Sequence, residues 1–353
     1  MRLYYSNSQL EHAPRQFMSA GRIVAPFEVP ERAQRMAAGL TRLGLTATEP
    51  MDLGLAPIHK VHDAHYVSFL TTAHERFSGL PNAGPEALPN VHPYVGAYAD
   101  LSARERPRPT SIVGLTGWYV GDMACAIGAG TWTATYASAQ AAASAAMDVV
   151  GGAGEAMALC RPPGHHAYPD RASGFCFLNN AAIAAEVLLE RFDRVGIIDF
   201  DTHHGDGTQA IFYRRCDVFY ASTHTSPRDY YPFFFGYADE AGFGEGDKFN
   251  LNVPLDFETD DETFIDANQR LIVAVLAAEV DALVLSAGWD AHRDDPLSRL
   301  AITSNAFRRL GRIYGEVPLP TVIIQEGGYS LAAIEHVAPL FVTEFLDERK
   351  PEL

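Results

Sequence analysis

Asp199, Asp201 and His203 alternate directly after the apolar run Val195–Ile198, and the chain continues His204-Gly205-Asp206. In extended backbone, residues two apart face the same side. Asp201 and His203 can therefore aim a carboxylate oxygen and an imidazole nitrogen at one point, as metal ligation requires. Upstream, Cys160-Arg161-Pro162-Pro163-Gly164-His165-His166 sets two adjacent histidines in a Pro-Gly turn. A bare D-x-H is a weak signal. This many titratable groups at the end of a buried strand are costly unless a metal or a reacting group uses them. The cluster predicts a site rather than a polar loop.

Two further apolar runs end the same way. Leu283–Ser286 leads into Ala287-Gly288-Trp289-Asp290-Ala291-His292, and Ile323-Ile324 into Gln325-Glu326-Gly327-Gly328-Tyr329. Sites in open parallel sheets form beyond the carboxyl ends of strands, where glycines let backbone approach a ligand. Asp201, His203 and Asp290 make a three-donor set with an open fourth position, the catalytic zinc pattern. Two carboxylates and a neutral imidazole cancel the ion's charge, leaving a Lewis acid that polarises a carbonyl and activates water. Either His165 or His166 can take the proton, with Asp199 and Asp206 available to fix a tautomer. Tyr329 can turn its hydroxyl toward a developing oxyanion. These parts describe attack of water on an amide carbonyl. His204, His224 and His292 read as packed neighbours rather than ligands or substrate contacts.

The elements that must position these groups alternate along the chain. Expected strands are Arg2–Tyr5, Ala156–Cys160, Val195–Asp199, Val218–Ser222, Ala282–Ser286 and Thr321–Gln325. Most are continuous apolar runs, as when both sheet faces are covered. Expected helices are Glu31–Leu43, Ala64–Phe77, Thr133–Val150, Asn180–Arg191, Glu262–Ala278, Ser304–Gly315 and Ala332–Leu346. The rhythm implies one α/β domain over 1–353, a mostly parallel sheet with helices on both faces. Two stretches break it: the Pro-rich segment 78–116, and 223–250 with Tyr230-Tyr231-Pro232-Phe233-Phe234-Phe235. The first is long enough to be functional, and the aromatics of the second could wall a pocket.

The net charge of −17 argues against nucleic acid or an anionic membrane as partner and suits a cationic substrate. No run of eighteen apolar residues exists, and the start lacks a leader's apolar stretch. Cys125, Cys160, Cys176 and Cys216 form no CxxC pair. A reducing cytoplasm without structural disulfides is expected.

Arg161–His166, Gly174-Phe175-Cys176-Phe177-Leu178-Asn179-Asn180, Asp199–Gln209, Ser286–His292 and Glu326–Tyr329 together resemble the histone deacetylase superfamily over nearly the whole chain. Met1–Pro30, Ile127–Trp132 and the 78–116 insertion are similar to its bacterial acetylpolyamine amidohydrolase branch. The resemblance implies an arginase-like α/β fold with about eight strands. It implies one zinc on Asp201, His203 and Asp290, a donor set that also accepts iron or cobalt. It makes His166, oriented by Asp206, the general base and then acid. His165 with Asp199 acts electrostatically, and Tyr329 bonds the carbonyl oxygen. Phe175 and Tyr231 would line the acyl tunnel, with Gly174 at its wall. Potassium is expected near Asp199, Asp201, His203, Ser222 and Thr223, and a second ion near Phe212, Arg215, Val218 and Phe249.

Two departures stand out. Tyr231 replaces the usual phenylalanine and adds a hydroxyl. Trp289 precedes Asp290 where a smaller residue or phenylalanine is common, and is expected to narrow the pocket or reshape its floor. In this branch the insertion makes a homodimer and constricts the entrance, and Asp122 is the candidate to read the substrate ammonium. The leading function is zinc-dependent deacetylation of acetylputrescine or acetylcadaverine. Its alternatives are an acetyl-lysine protein deacetylase, a two-manganese ureohydrolase short of ligands, and a non-catalytic acetyl-ligand binding protein.

Overall fold

The computed structural model describes residues 1–93 and 108–349. The strands are β1 (Arg2–Tyr4), β2 (Phe17–Ser19), β3 (Arg22–Val24), β4 (Ala47–Thr48), β5 (Glu155–Ala158), β6 (Val195–Asp199), β7 (Val218–Thr225), β8 (Asn250–Leu255), β9 (Ala282–Ala287) and β10 (Thr321–Gln325). Eight of them form one sheet in the order β4-β1-β5-β10-β9-β6-β7-β8. Every pairing in it is parallel. Strands β2 and β3 make a separate antiparallel hairpin.

The helices are α1 (Glu31–Thr41), α2 (Ala56–His59), α3 (Ala64–Ser78), α4 (Ile112–Tyr119), α5 (Thr131–Val150), α6 (Asn180–Leu188), α7 (Asp206–Phe212), α8 (Asp261–Ala277), α9 (Ser304–Gly315) and α10 (Leu331–Glu348). The pleat sorts the strand residues between two cores. Ala282 and Val284 face a cluster built with α3–α6. Leu283 and Leu285 face a cluster built with α1 and α8–α10. Both faces are apolar, which is why these strands read as unbroken hydrophobic runs.

All six expected strands and seven expected helices form, with ends shifted by a few residues. Strands β4 and β8 were not expected. The first has two residues, and the second carries Pro254, which a sheet edge tolerates because no neighbour needs its missing N–H. The 78–116 stretch is not all irregular. Ala87 pairs with Ile127, and α4 begins at Ile112 and sends Ile112 and Leu115 into the core. Residues 94–107 of that insertion lie outside the described residues.

One buried histidine ties the start of α3 to the start of α6. Asn179, the N-cap of α6, donates its backbone N–H to His62 Nε2 at 2.9 Å. Burial lowers the His62 pKa to about 4 from its ordinary 6.5. The unfolded chain binds a proton there that the folded chain excludes. His62 therefore contributes stability that is present above 6.5 and is lost as pH falls toward about 4. His62→Gln keeps an acceptor without the titration. Urea unfolding across that window should show the wild type losing up to ~1.4 kcal/mol per pH unit more than the variant. Parallel pH curves would contradict this.

Candidate active site

Strands β5, β10, β9 and β6 lie side by side at the centre of the sheet. Their carboxyl ends deliver the four polar segments singled out in the sequence. After β6 and β9, one donor atom each from Asp201, His203 and Asp290 lies within 4.8 Å of the others, all three residues buried. His203 Nδ1 is 3.1 Å from Asp201 Oδ1 and 3.2 Å from Asp290 Oδ2.

These residues fit a cation. Asp201 Oδ2 accepts from Gly327 N at 2.8 Å, and Asp290 Oδ1 accepts from Thr202 N at 3.0 Å. Asp290 Oδ2 is buried and, apart from the ligand His203 Nδ1 at 3.2 Å, has no hydrogen-bond partner among the described residues. Burial, then the Asp201 charge, pushes the Asp290 pKa up to about 7. Two buried carboxylates pressed together, with no donor from outside the ligand set on Asp290 Oδ2, call for a positive ion between them. The turn after β10 closes over them. A Cβ at Gly327 would sit 2.2 Å from Asp290 Oδ2 and 2.5 Å from Asp201 Oδ2, so only glycine fits.

His165 and His166 follow β5, their ring centroids 4.1 Å apart. His165 Nδ1 pairs with Asp199 Oδ2 at 3.0 Å, and His166 Nδ1 with Asp206 Oδ1 at 2.6 Å. The two imidazoles are pushed opposite ways. Burial opposes a charge on His165, but Asp201 and Asp199 outweigh it and raise the pKa to about 10. Burial, then the charges of His165 and His203, holds His166 well below the ordinary value. Burial and its neighbours thus push His166 toward the neutral form that can accept a proton, and the facing carboxylates push His165 toward the cation.

Supports outside the expected set hold these groups. Glu326 Oε2 accepts from Gly164 N at 2.6 Å and His165 N at 3.1 Å, fixing the two-histidine turn to β10. Arg32 donates to Glu326 O at 2.8 Å and to Gly328 O, and its guanidinium lies 4.4 Å from the Tyr329 ring centroid. Arg32 and Arg161 share the buried Glu28, at 2.8 Å and 2.7 Å. Asp295 accepts from Tyr329 N at 2.6 Å and Ser330 N at 2.8 Å. Burial raises the Tyr329 pKa well above the usual phenol value, so its hydroxyl remains a donor. Arg161 belongs to the motif that carries the two histidines and Glu28 and Arg32 are four residues apart, but nothing in the sequence showed that the three charges meet.

A cavity of about 500 Å³ opens above the ligand set. His166, His203 and Tyr329 reach it, and Phe175, Tyr231 and Gly174 line it. Hairpin residues Phe17 and Met18 add to its rim. Two expectations change here. Tyr231 does not turn a free hydroxyl into the cavity, because it donates to Asp122 Oδ2 at 2.7 Å. The same oxygen accepts from Ser173 Oγ and Gly174 N, each at 3.0 Å. Trp289 is not a pocket residue. It is fully buried among Phe200, Phe307 and Phe341, since the residue before Asp290 points to the opposite face.

Ser222 and Thr223, on β7, stand beside β6, with Ser222 in register with Asp199. Thr223 Oγ1 is buried without a partner. His204 turns away from the ligand set to Asn252 Oδ1 at 3.2 Å, and His224 bonds Ser222 Oγ and Gly236 O, each at 2.8 Å.

Four adjacent strand ends with an Asp₂His ligand set and two carboxylate-paired histidines define a class of metal-dependent hydrolase. A model of the histone deacetylase domain matches residues 26–345, and the chain belongs to the histone deacetylase family. It is 43% identical over 346 residues to an acetylpolyamine amidohydrolase of Burkholderia pseudomallei, covering 98% of both chains. It is 40% identical to acetylpolyamine amidohydrolase 1 of Pseudomonas aeruginosa, covering 94% of both. A crystal structure of the acetylpolyamine aminohydrolase from Burkholderia pseudomallei superposes with a TM-score of 0.93 at 43% identity, covering 98% of each chain.

Proposed function

We propose that this chain deacetylates small N-acetylated polyamines of the acetylputrescine or acetylcadaverine type. The observation that carries the reading is the buried convergence of donors from Asp201, His203 and Asp290, at the base of an aromatic-walled cavity that also holds His166 and Tyr329. Asp201, His203 and Asp290 would hold one zinc ion, which supplies Lewis-acid polarisation of the amide and of a water. His166, kept neutral by burial and held through Nδ1 by Asp206, takes a proton from the attacking water. It then delivers that proton to the nitrogen as the C–N bond breaks, and acetate and a free amine leave. His165, paired with Asp199 and pushed by it toward the cation, stabilises the negative charge that develops. Tyr329 donates to the carbonyl oxygen. The same reading puts potassium by Asp199, Asp201, His203, Ser222 and Thr223. The partnerless Thr223 hydroxyl supports it.

Similarity to two amidohydrolases named for acetylpolyamines supports the substrate class. Asp122 is the carboxylate at the cavity wall for a distal ammonium, its geometry fixed by Tyr231, Ser173 and Gly174. A family match over 26–345 supports one catalytic unit. Phe234, 79% exposed, next to Phe233 at the cavity, supports a homodimer that narrows the entrance. Four free cysteines, three of them buried, support a cytoplasmic setting.

Turnover on acetylputrescine, acetylcadaverine and an acetyl-lysine peptide tests the reading. We expect the diamines to give the higher kcat/KM, and KM for acetylputrescine to rise between low and 0.5 M salt as the mouth is screened. Preference for the peptide would transfer the chemistry to a protein substrate. One observation favours that second reading: Arg299 also lines the cavity and suits a carbonyl or carboxylate better than an ammonium.

A further inference from the structure

The His166–Asp206 pair has a second partner that the reaction as described does not use. Asp206 opens α7, and its two oxygens are divided between two side chains. Oδ1 accepts from His166 Nδ1 at 2.6 Å, and Oδ2 accepts from the Tyr168 hydroxyl at 2.8 Å. Tyr168 stands two residues after His166, in a turn where its N–H bonds Arg171 O at 2.9 Å. The turn lies against the start of α7 because residue 207 is glycine. A Cβ there would meet Ala167 O at 2.4 Å. Behind the pair is a cavity of about 310 Å³ lined by Tyr168, Asp206, Tyr213, Arg214, Phe235 and Glu240. It lies apart from the substrate cavity, and Tyr168 and Asp206 do not line the latter.

A single acceptor bond leaves a carboxylate free to rotate about its own axis. Two donors, one on each oxygen, fix the plane. Fixing that plane keeps Oδ1 on Nδ1–H of His166, so the lone pair of Nε2 stays turned to the substrate. The second donor also opposes protonation of Asp206. Burial raises its pKa to about 7, and the Tyr168 bond is the first of the contributions that pull it down. A protonated Asp206 could no longer hold His166 in the tautomer that accepts a proton. Phenylalanine would fill the same space at position 168, so packing alone does not account for the hydroxyl.

We propose that Tyr168 is a positioning residue for the reaction, acting through Asp206 to hold His166 in its proton-accepting tautomer. The inference rests on the deacetylase reading for its kinetic test but not for its spectroscopic one. Tyr168→Phe deletes one oxygen. Loss of a hydrogen bond to a charged group predicts a kcat about 10- to 100-fold lower, with KM and bound metal unchanged. In an Asp206→Ala background, the same substitution should change kcat less than about twofold, because nothing remains for Tyr168 to position. Equal losses in both backgrounds, or no loss in the first, would overturn the proposal.

Proton NMR supplies a readout that needs no turnover. The 2.6 Å bond between His166 and Asp206 should give a far-downfield Nδ1–H signal that is absent in Asp206→Ala. Tyr168→Phe should move or broaden it, and an unmoved signal would reject the inference even if the chain hydrolysed no amide. Should Tyr168→Phe fold poorly, a fluorotyrosine at position 168 keeps the packing and strengthens the donor. The stronger donor draws charge from Asp206 and weakens its hold on His166, so the Nδ1–H signal should move upfield, and no shift would count against the role.

Discussion

Asp290→Ala should lose metal and turnover together. The side chain carries a buried ligand oxygen that, among the described residues, meets no donor outside the ligand set. Removing it leaves two donors, Asp201 and His203, where three converged. The Lewis acid contributes several kcal/mol to stabilising the transition state, so turnover should fall by more than about 10³-fold. Metal analysis after dialysis should find the ion gone. Full occupancy in this variant would end the ligand assignment. Asp290→Asn separates this loss from unfolding. It keeps the shape, removes the like-charge contact with Asp201 that pushes Asp290 up to about 7, and should melt no lower than metal-free wild type.

His166→Ala should do the reverse, keeping the metal while losing the chemistry. Its ring approaches the ligand His203 at 5.9 Å between centroids but supplies none of the three ligand atoms. Positioned proton transfer contributes about 10²–10⁴-fold, and kcat should fall by that factor with metal content unchanged. His165→Ala, which removes a cation rather than a base, should cost less near neutral pH. If His165→Ala proved the more damaging at every pH, the two roles would have to be exchanged.

The ligand set was legible because its spacing is a consequence of backbone geometry. Asp201 and His203 follow the end of β6 two residues apart, where the chain bends and His203 N donates back to Asp201 Oδ1 at 2.9 Å, and Asp290 follows a run apolar enough to be a central strand. The two histidine–carboxylate pairings needed more. Asp199 and Asp206 were both available to both histidines on chemical grounds, and only the resemblance separated them. The fold supplied the distances. Trp289 was misread for a physical reason. Adjacency to a ligand in sequence was taken as adjacency to the pocket, yet in the turn after β9 Trp289 packs into the apolar core while Asp290 joins the ligand set. The hairpin of Phe17–Ser19 and Arg22–Val24 left no usable trace, since three-residue strands show no periodicity. Tyr168 and Glu326 were invisible as supports because a hydrogen bond across the fold has no local signature.

The order of strands at the centre of the sheet also bears on synthesis. Strands β5 and β6 come early in the chain but never touch. The two strands that fill the gap, β9 and β10, begin at residues 282 and 321. A chain still on the ribosome with 270 residues emerged would present two unpaired edges where the finished protein has its centre. Such edges recruit other strands, so the nascent enzyme is exposed to aggregation until its last fifth appears. Folding dominated by such distant pairings is slow. C-terminal truncation before β9 should therefore yield inclusion bodies rather than a weakened enzyme.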